Sequence, residues 1–151
     1  MLGKIMHVGL VVKNLDVSIH FYCEILGLKL MSKMEMKGKE TDLLFNRENV
    51  IAKIAYVRSD DDNLPPVELI QYEYIETEVN KSTLFRRGIA ELCFEVEDIE
   101  KEYLRLKNLG VKFLSEPQEF DFSSSGYGIS KAVYFMDPDN IILELMQVIK
   151  D

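Results

Sequence analysis

Lys4-Ile5-Met6-His7-Val8-Gly9-Leu10-Val11-Val12-Lys13-Asn14-Leu15, set above Gly88-Ile89-Ala90-Glu91-Leu92-Cys93-Phe94-Glu95-Val96-Glu97-Asp98-Ile99, matches it in apolar pattern without a gap. Self-similarity inside a chain is the sequence sign of a repeated structural unit, so this pair decides the fold. Each segment is rich in Val, Ile, Leu and Phe, the composition of a strand. Each ends at Asn14 or Asp98, whose short side chain can accept a bond from the first free N–H groups of a helix. The pattern predicts a strand and then a helix in both copies.

Working outward, Ile19, Tyr22 and Leu26 fall at i, i+3 and i+7, while Ile99, Tyr103 and Leu106 fall at i, i+4 and i+7, so each helix should carry one buried stripe. Leu26-Gly27 and Leu109-Gly110 close the helices, because glycine takes the left-handed conformation that ends them. Strands restart through Leu28-Lys29-Leu30 and Val111-Lys112-Phe113. Further on, Ala55-Tyr56-Val57 parallels Val133-Tyr134-Phe135, and Val67-Glu68-Leu69-Ile70-Gln71 parallels Leu143-Glu144-Leu145-Met146-Gln147. Turn residues Asp137-Pro138-Asp139-Asn140 between two apolar runs mark the second closing hairpin.

The fold predicted is α+β, with two paired β-α-β-β-β modules forming a cup-shaped, partly open mixed sheet around a central site. One domain covers 1–151: module one about 1–74, a connector about 75–86 with few apolar anchors, and module two about 87–151. A chain of 151 residues, 47% apolar and 29% charged, is long enough for one core and ordinary for a soluble protein. Its longest apolar runs, such as Ile5 to Val12, are far shorter than the ~20 residues of a membrane-spanning helix. No leader pattern opens the chain, so a cytoplasmic protein with no membrane partner is expected. The net charge of −8 argues against nucleic acid, whose binding relies on clustered Lys and Arg. Cys23 and Cys93 lie in apolar periodic segments and read as small buried hydrophobes. The run Ser59-Asp60-Asp61-Asp62-Asn63 reads as a solvated turn, since a calcium loop needs a central Gly and a later Glu.

Four repeat-equivalent positions are polar within apolar strands: His7 with Glu91, and Glu68 with Glu144. Any one of these carboxylates alone is explained by a strand with one solvated face. As a symmetric set, facing one another across a pseudo-twofold axis, three carboxylates and an imidazole would repel unless a cation sat between them. Oxygen and nitrogen donors suit Mn, Fe, Co, Ni or Mg in an open site better than a structural zinc.

The chain resembles the vicinal oxygen chelate superfamily of glyoxalase I, methylmalonyl-CoA epimerase, extradiol dioxygenases and bleomycin resistance proteins. The stretches that carry the resemblance are His7–Val12, Phe21-Tyr22-Cys23-Glu24-Ile25-Leu26-Gly27, and Tyr134-Phe135-Met136-Asp137-Pro138-Asp139-Asn140-Ile141-Ile142-Leu143-Glu144-Leu145. The resemblance implies a divalent metal (Ni, Co, Mn, Fe, Zn or Mg) held by His7, Glu68, Glu91 and Glu144. It further implies Glu91 and Glu144 as the catalytic carboxylates, a small-molecule substrate and a homodimer. Glu91 stands where the family most often has His, which makes it either a fourth ligand or a base.

Three activities remain open on this reading. One is a lyase or isomerase moving a proton next to a carbonyl of a small carbonyl or thioester substrate. Another is a metal-free binding protein of the bleomycin-resistance type. The third, an extradiol-type dioxygenase, needs two histidines and a carboxylate and is less well supplied. His20 reads as a surface residue of the first helix. Tyr56, Tyr72, Tyr74 and Tyr134 read as cup lining or core, and Ser115 to Ser130 as a lid or an exposed loop.

Overall fold

The computed structural model describes every residue except 80, 82, 150 and 151. The chain divides into two compact units, Met1–Glu78 and Val79–Asp151. Their boundary falls in the stretch read as a connector, of which Asn80 and Ser82 lie outside the described residues.

Unit one contains β1 (Val8–Val11), α1 (Leu15–Ile19) continued by a π-helical stretch His20–Ile25, β2 (Lys29–Lys37), α2 (Lys39–Phe45), β3 (Ile51–Arg58) and β4 (Val67–Tyr72). Its sheet runs β1-β4-β3-β2, with β1 parallel to β4 and the other pairs antiparallel. Unit two contains β5 (Leu92–Glu95), α3 (Ile99–Asn108), β6 (Lys112–Phe113), β7 (Gln118–Asp121), β8 (Ile129–Met136) and β9 (Ile142–Ile149). Its sheet runs β5-β9-β8-β6, with β5 parallel to β9 and β7 also lying along β8. Both units are thus β-α-β-β-β modules with mixed sheets, the α+β class that the repeat predicted. Among the described residues no helix is long and apolar enough to cross a membrane.

Strand alternation gives each sheet two different faces. In unit one Leu10, Ala55, Val57, Val67 and Leu69 are buried, as are Leu15 and Tyr22 of the helical segment. In unit two Val133, Phe135, Leu143 and Leu145 are buried, as are Ile99, Tyr103 and Leu106 of α3. Phe113 joins that core edge-on to Tyr103, with ring centroids 4.7 Å apart. Each such aliphatic or aromatic side chain contributes about 1.5–3 kcal/mol on full burial.

The two helices are capped twice over. Asn14 accepts from Val17 N at 3.1 Å and Asp98 from Lys101 N at 3.0 Å. In addition, Leu15 N donates to Gln71 Oε1 at 2.7 Å and Ile99 N to Gln147 Oε1 at 3.1 Å. Each Gln stands three residues after the Glu of the same strand, and an odd spacing points the two side chains to opposite faces. One face of the closing strand therefore anchors the helix while the other carries the carboxylate.

The structure departs from the sequence reading in four places. The stretch from cap to closing glycine is one residue longer in unit one (Asn14 to Gly27) than in unit two (Asp98 to Gly110). Unit one absorbs that residue in the π turn, with Leu26 N bonding to Phe21 O at 2.9 Å. Along this helical segment Leu15, Ser18, Phe21 and Tyr22 are buried while Ile19 and Leu26 are only half-buried. The α3 stripe of Ile99, Tyr103 and Leu106 is as expected.

A second departure is α2, whose Leu43 and Leu44 face solvent, so no apolar period announces it. Asp42 stabilises its exit by accepting from Asn49 N and Val50 N at 3.0 and 2.8 Å. Thirdly, the stretch read as a lid is partly strand. Pro117 lacks an N–H for the ladder and the strand breaks there, but β7 then pairs Gln118–Asp121 with β8. Phe120 and Phe122 stack beyond the break at 5.8 Å, and a 3-10 turn at Ser123–Ser125 leads back to β8. Lastly, neither cysteine is a fully buried hydrophobe, since Cys23 is half-buried and Cys93 exposed, because β5 turns Cys93 to the sheet face away from α3. Both thiols are free.

Candidate functional site

The polar positions picked out by the repeat occupy matching registers in the two sheets. In unit one Glu68 sits between Gly9 on β1 and Tyr56 on β3. In unit two Glu144 sits between Cys93 on β5 and Tyr134 on β8. His7 and Glu91 each precede the first-strand member of these rows by two residues, which keeps them on the same face.

Unit one brings His7 and Glu68 together, Nε2 lying 3.4 Å from Oε2. The Tyr56 hydroxyl donates to the other oxygen, Oε1, at 2.7 Å. Its ring stands edge-on to the imidazole with centroids 5.7 Å apart and planes at 69°. A Cβ at Gly9 would lie 3.4 Å from Glu68 Oε2 and 3.4 Å from Ile70 Cδ1, so the Glu68 carboxylate packs directly beside this glycine. The Glu68 side chain is only 12% exposed. Burial and the donated bond to Glu68 push the Tyr56 phenol up to about 12. Tyr72 is also raised, by burial and then by the field of Glu68.

Unit two brings Glu144 together with Cys93 and within the field of Glu91. Glu144 is 7% exposed, and burial raises its carboxyl pKa. A hydrogen bond from the Cys93 thiol works in the opposite direction, and the charge of Glu91 adds to the rise. Although Cys93 as a whole is exposed, its thiol is partly desolvated, and that desolvation, the bond to Glu144, and the fields of Glu144 and Glu91 push it up to about 12. Tyr134 is raised by burial and by the same acids. This cluster therefore has two carboxylates where unit one has a carboxylate and an imidazole.

Within neither unit do three or more His, Cys, Asp or Glu side chains converge as a ready-made metal donor set, among the described residues. His20 is exposed on the helical segment and Tyr74 on the chain after β4. The acidic turn is tied down by Lys29 to Asp60 and Arg58 to Asp62. Two residues of these clusters, Cys93 expected as a small buried hydrophobe and Tyr56 as cup lining or core, turn out to bond the carboxylates directly. Cys93 was available as the partner of Gly9 in the aligned repeats and by its even spacing from Glu91. Tyr56 required the β3–β4 register, which depends on a turn whose geometry the sequence leaves open.

The model of the Glyoxalase/Bleomycin resistance protein/Dioxygenase superfamily matches residues 4–145. The chain belongs to this superfamily. A glyoxalase family protein from Bacillus cereus superposes with a TM-score of 0.85 at 22% identity, covering 99% of this chain and 97% of that one. The trypanothione-dependent glyoxalase I of Leishmania major superposes with a TM-score of 0.68 at 19% identity, over 97% of this chain and 87% of its own. At such identities these likenesses establish the fold. Among relatives by sequence, the lactoylglutathione lyase of Schizosaccharomyces pombe is 26% identical over 95% of this superfamily member but only 47% of its own length. The chain thus spans about half of the yeast protein. A probable lactoylglutathione lyase of Vibrio parahaemolyticus is 28% identical and is matched over 91% of its length, with 96% of this chain covered.

Proposed function

We propose that this superfamily member is a divalent-metal-dependent lyase or isomerase that moves a proton next to a carbonyl of a small carbonyl or thioester substrate. The observation that carries the reading is the 3.4 Å separation of His7 Nε2 and Glu68 Oε2. Two donors each about 2.1 Å from one cation lie roughly 3.0–3.4 Å apart at octahedral to tetrahedral angles, so the pair fits adjacent ligand positions. The relatives named as lactoylglutathione lyases support the same class of reaction.

In this reading His7, Glu68 and Glu144 are ligands of Ni, Co, Mn, Fe, Zn or Mg, and Glu91 is a fourth ligand or a base. A cation held by them would supply positive charge against the negative charge that develops on a carbonyl oxygen. Glu91 and Glu144 are the carboxylates that take the proton from the neighbouring carbon and return it. The chain acts as a single glyoxalase-like domain, as a homodimer in the cytoplasm. The dioxygenase reading is weaker, since His20 is exposed on its helical segment and leaves His7 as the one histidine beside a carboxylate.

Elemental analysis of untagged protein purified without chelators tests the proposal. About one divalent ion per chain, lost in Glu144→Ala, is expected, and turnover of carbonyl or thioester substrates should follow the metal. No metal uptake, with no thermal stabilisation by added divalent ions, would refute it and leave a metal-free ligand-binding protein as the account.

A further inference from the structure

We infer that Tyr56 is a positioning residue that fixes which oxygen of Glu68 is offered to a cation. The inference rests on the reading of His7 and Glu68 as ligands. Tyr56 and Glu68 face each other in the β3–β4 register, so backbone pairing alone sets the phenol beside the carboxylate. The hydroxyl takes Oε1 at 2.7 Å on one side. On the other side Oε2 faces His7 Nε2 at 3.4 Å. The two oxygens are therefore unequal: Oε1 already has a donor, and Oε2 is free to pair with the imidazole on a common cation. A charge-assisted O–H···O⁻ bond of this kind is among the stronger hydrogen bonds and is directional.

The same ring also orients the second ligand. Its edge-on contact with His7 restricts rotation of the imidazole, so one side chain touches both unit-one donors without being a ligand itself. Unit two dresses the equivalent carboxylate differently, because Glu144 receives the Cys93 thiol, a weaker donor. Tyr56 therefore makes Glu68 a one-oxygen ligand with its geometry set before the cation arrives. Loss of such a supporting partner commonly weakens metal affinity ten- to a hundredfold.

The test uses the full chain stripped of metal and titrated with Mn²⁺, followed by calorimetry and electron paramagnetic resonance, and with Co²⁺, followed by visible absorption. Wild type, Tyr56→Phe and His7→Ala are compared, with circular dichroism as the check on folding. Tyr56→Phe should fold, bind Mn²⁺ at least roughly tenfold more weakly, and give an altered Co²⁺ spectrum, because the freed carboxylate can rotate. A purely structural role for the phenol would leave that spectrum unchanged. Should Tyr56→Phe fail to fold, Tyr56→Leu, which also removes the hydroxyl, carries the test by the same Mn²⁺ affinity and Co²⁺ spectrum. Equal affinity and an unchanged spectrum in the folded variant would overturn the role of Tyr56 while leaving the metal reading intact. Binding undiminished in His7→Ala, or no binding by wild type, would overturn the metal reading and this inference with it.

Discussion

Gln147 ties the closing strand of unit two to the start of its helix, and that single bond sets up a quantitative test. Ile99 is fully buried, and its N–H, at the first helical position, has no acceptor within the helix. Gln147 Oε1 accepts from it at 3.1 Å. Gln147→Leu keeps the bulk of the side chain but strands the N–H, and leaving a buried donor unsatisfied costs about 1–3 kcal/mol. For a chain of this size a loss of about 2 kcal/mol lowers the melting temperature by roughly 4–8 °C. Gln147→Glu retains an acceptor and places a negative charge at the positive end of the helix, so it should stay within about 2 °C of wild type. Melting curves by circular dichroism at neutral pH, with metal removed, measure both. If Gln147→Leu melts with wild type, or if both variants fall equally, the bond is not what anchors α3 and the account of the opposite-facing Glu and Gln fails.

Two further outcomes follow from buried polar groups. Ser18 is fully buried and its Oγ has no hydrogen-bond partner among the described residues, so Ser18→Ala should stabilise the protein by about 0.5–1.5 kcal/mol, and a lower melting temperature would contradict this. Burial raises the Glu144 carboxyl pKa above its usual value, so the native chain holds this proton more tightly than the unfolded chain. Its ionised form therefore costs stability as pH rises through the native pKa, and the cost vanishes below the unfolded value of about 4.3. Metal-free Glu144→Gln should melt above wild type at pH 7–8 and converge with it toward pH 4, and a constant offset across that range would refute the assignment.

The modules were legible because register and pattern are coupled. Any shift of one residue would turn Leu69 or Leu145 to the opposite face, so the apolar pattern fixes both sheets and the strands that carry Glu68 and Glu144. What escaped the sequence depends on geometry that apolar pattern does not encode. The π turn is a one-residue surplus between Asn14 and Gly27, visible only once both caps are known to be equivalent. α2 buries too little to show a period, since its two leucines face outward. Cys93 looked like core because it is itself apolar, so nothing in its residue type marks the outward face of β5, where half-buried Leu92 and Phe94 alternate with exposed Cys93 and Glu95.

The repeat also conceals a chemical asymmetry within equivalent registers. In unit one two different groups, a phenol and an imidazole, approach the two oxygens of Glu68, and a glycine lies beside the second. In unit two a thiol fills the position of that glycine, a second carboxylate replaces the imidazole, and burial raises the Glu144 carboxyl pKa. The first cluster is thus ordered by its own hydrogen bonds. The second concentrates negative charge out of water and would gain most from a neighbouring cation. Replacing Glu91 by His would remove one like charge beside Glu144 and supply an imidazole equivalent to His7. On this argument Glu91→His should ease the rise in the Glu144 pKa, and the pH dependence of metal-free stability described above should flatten in that variant.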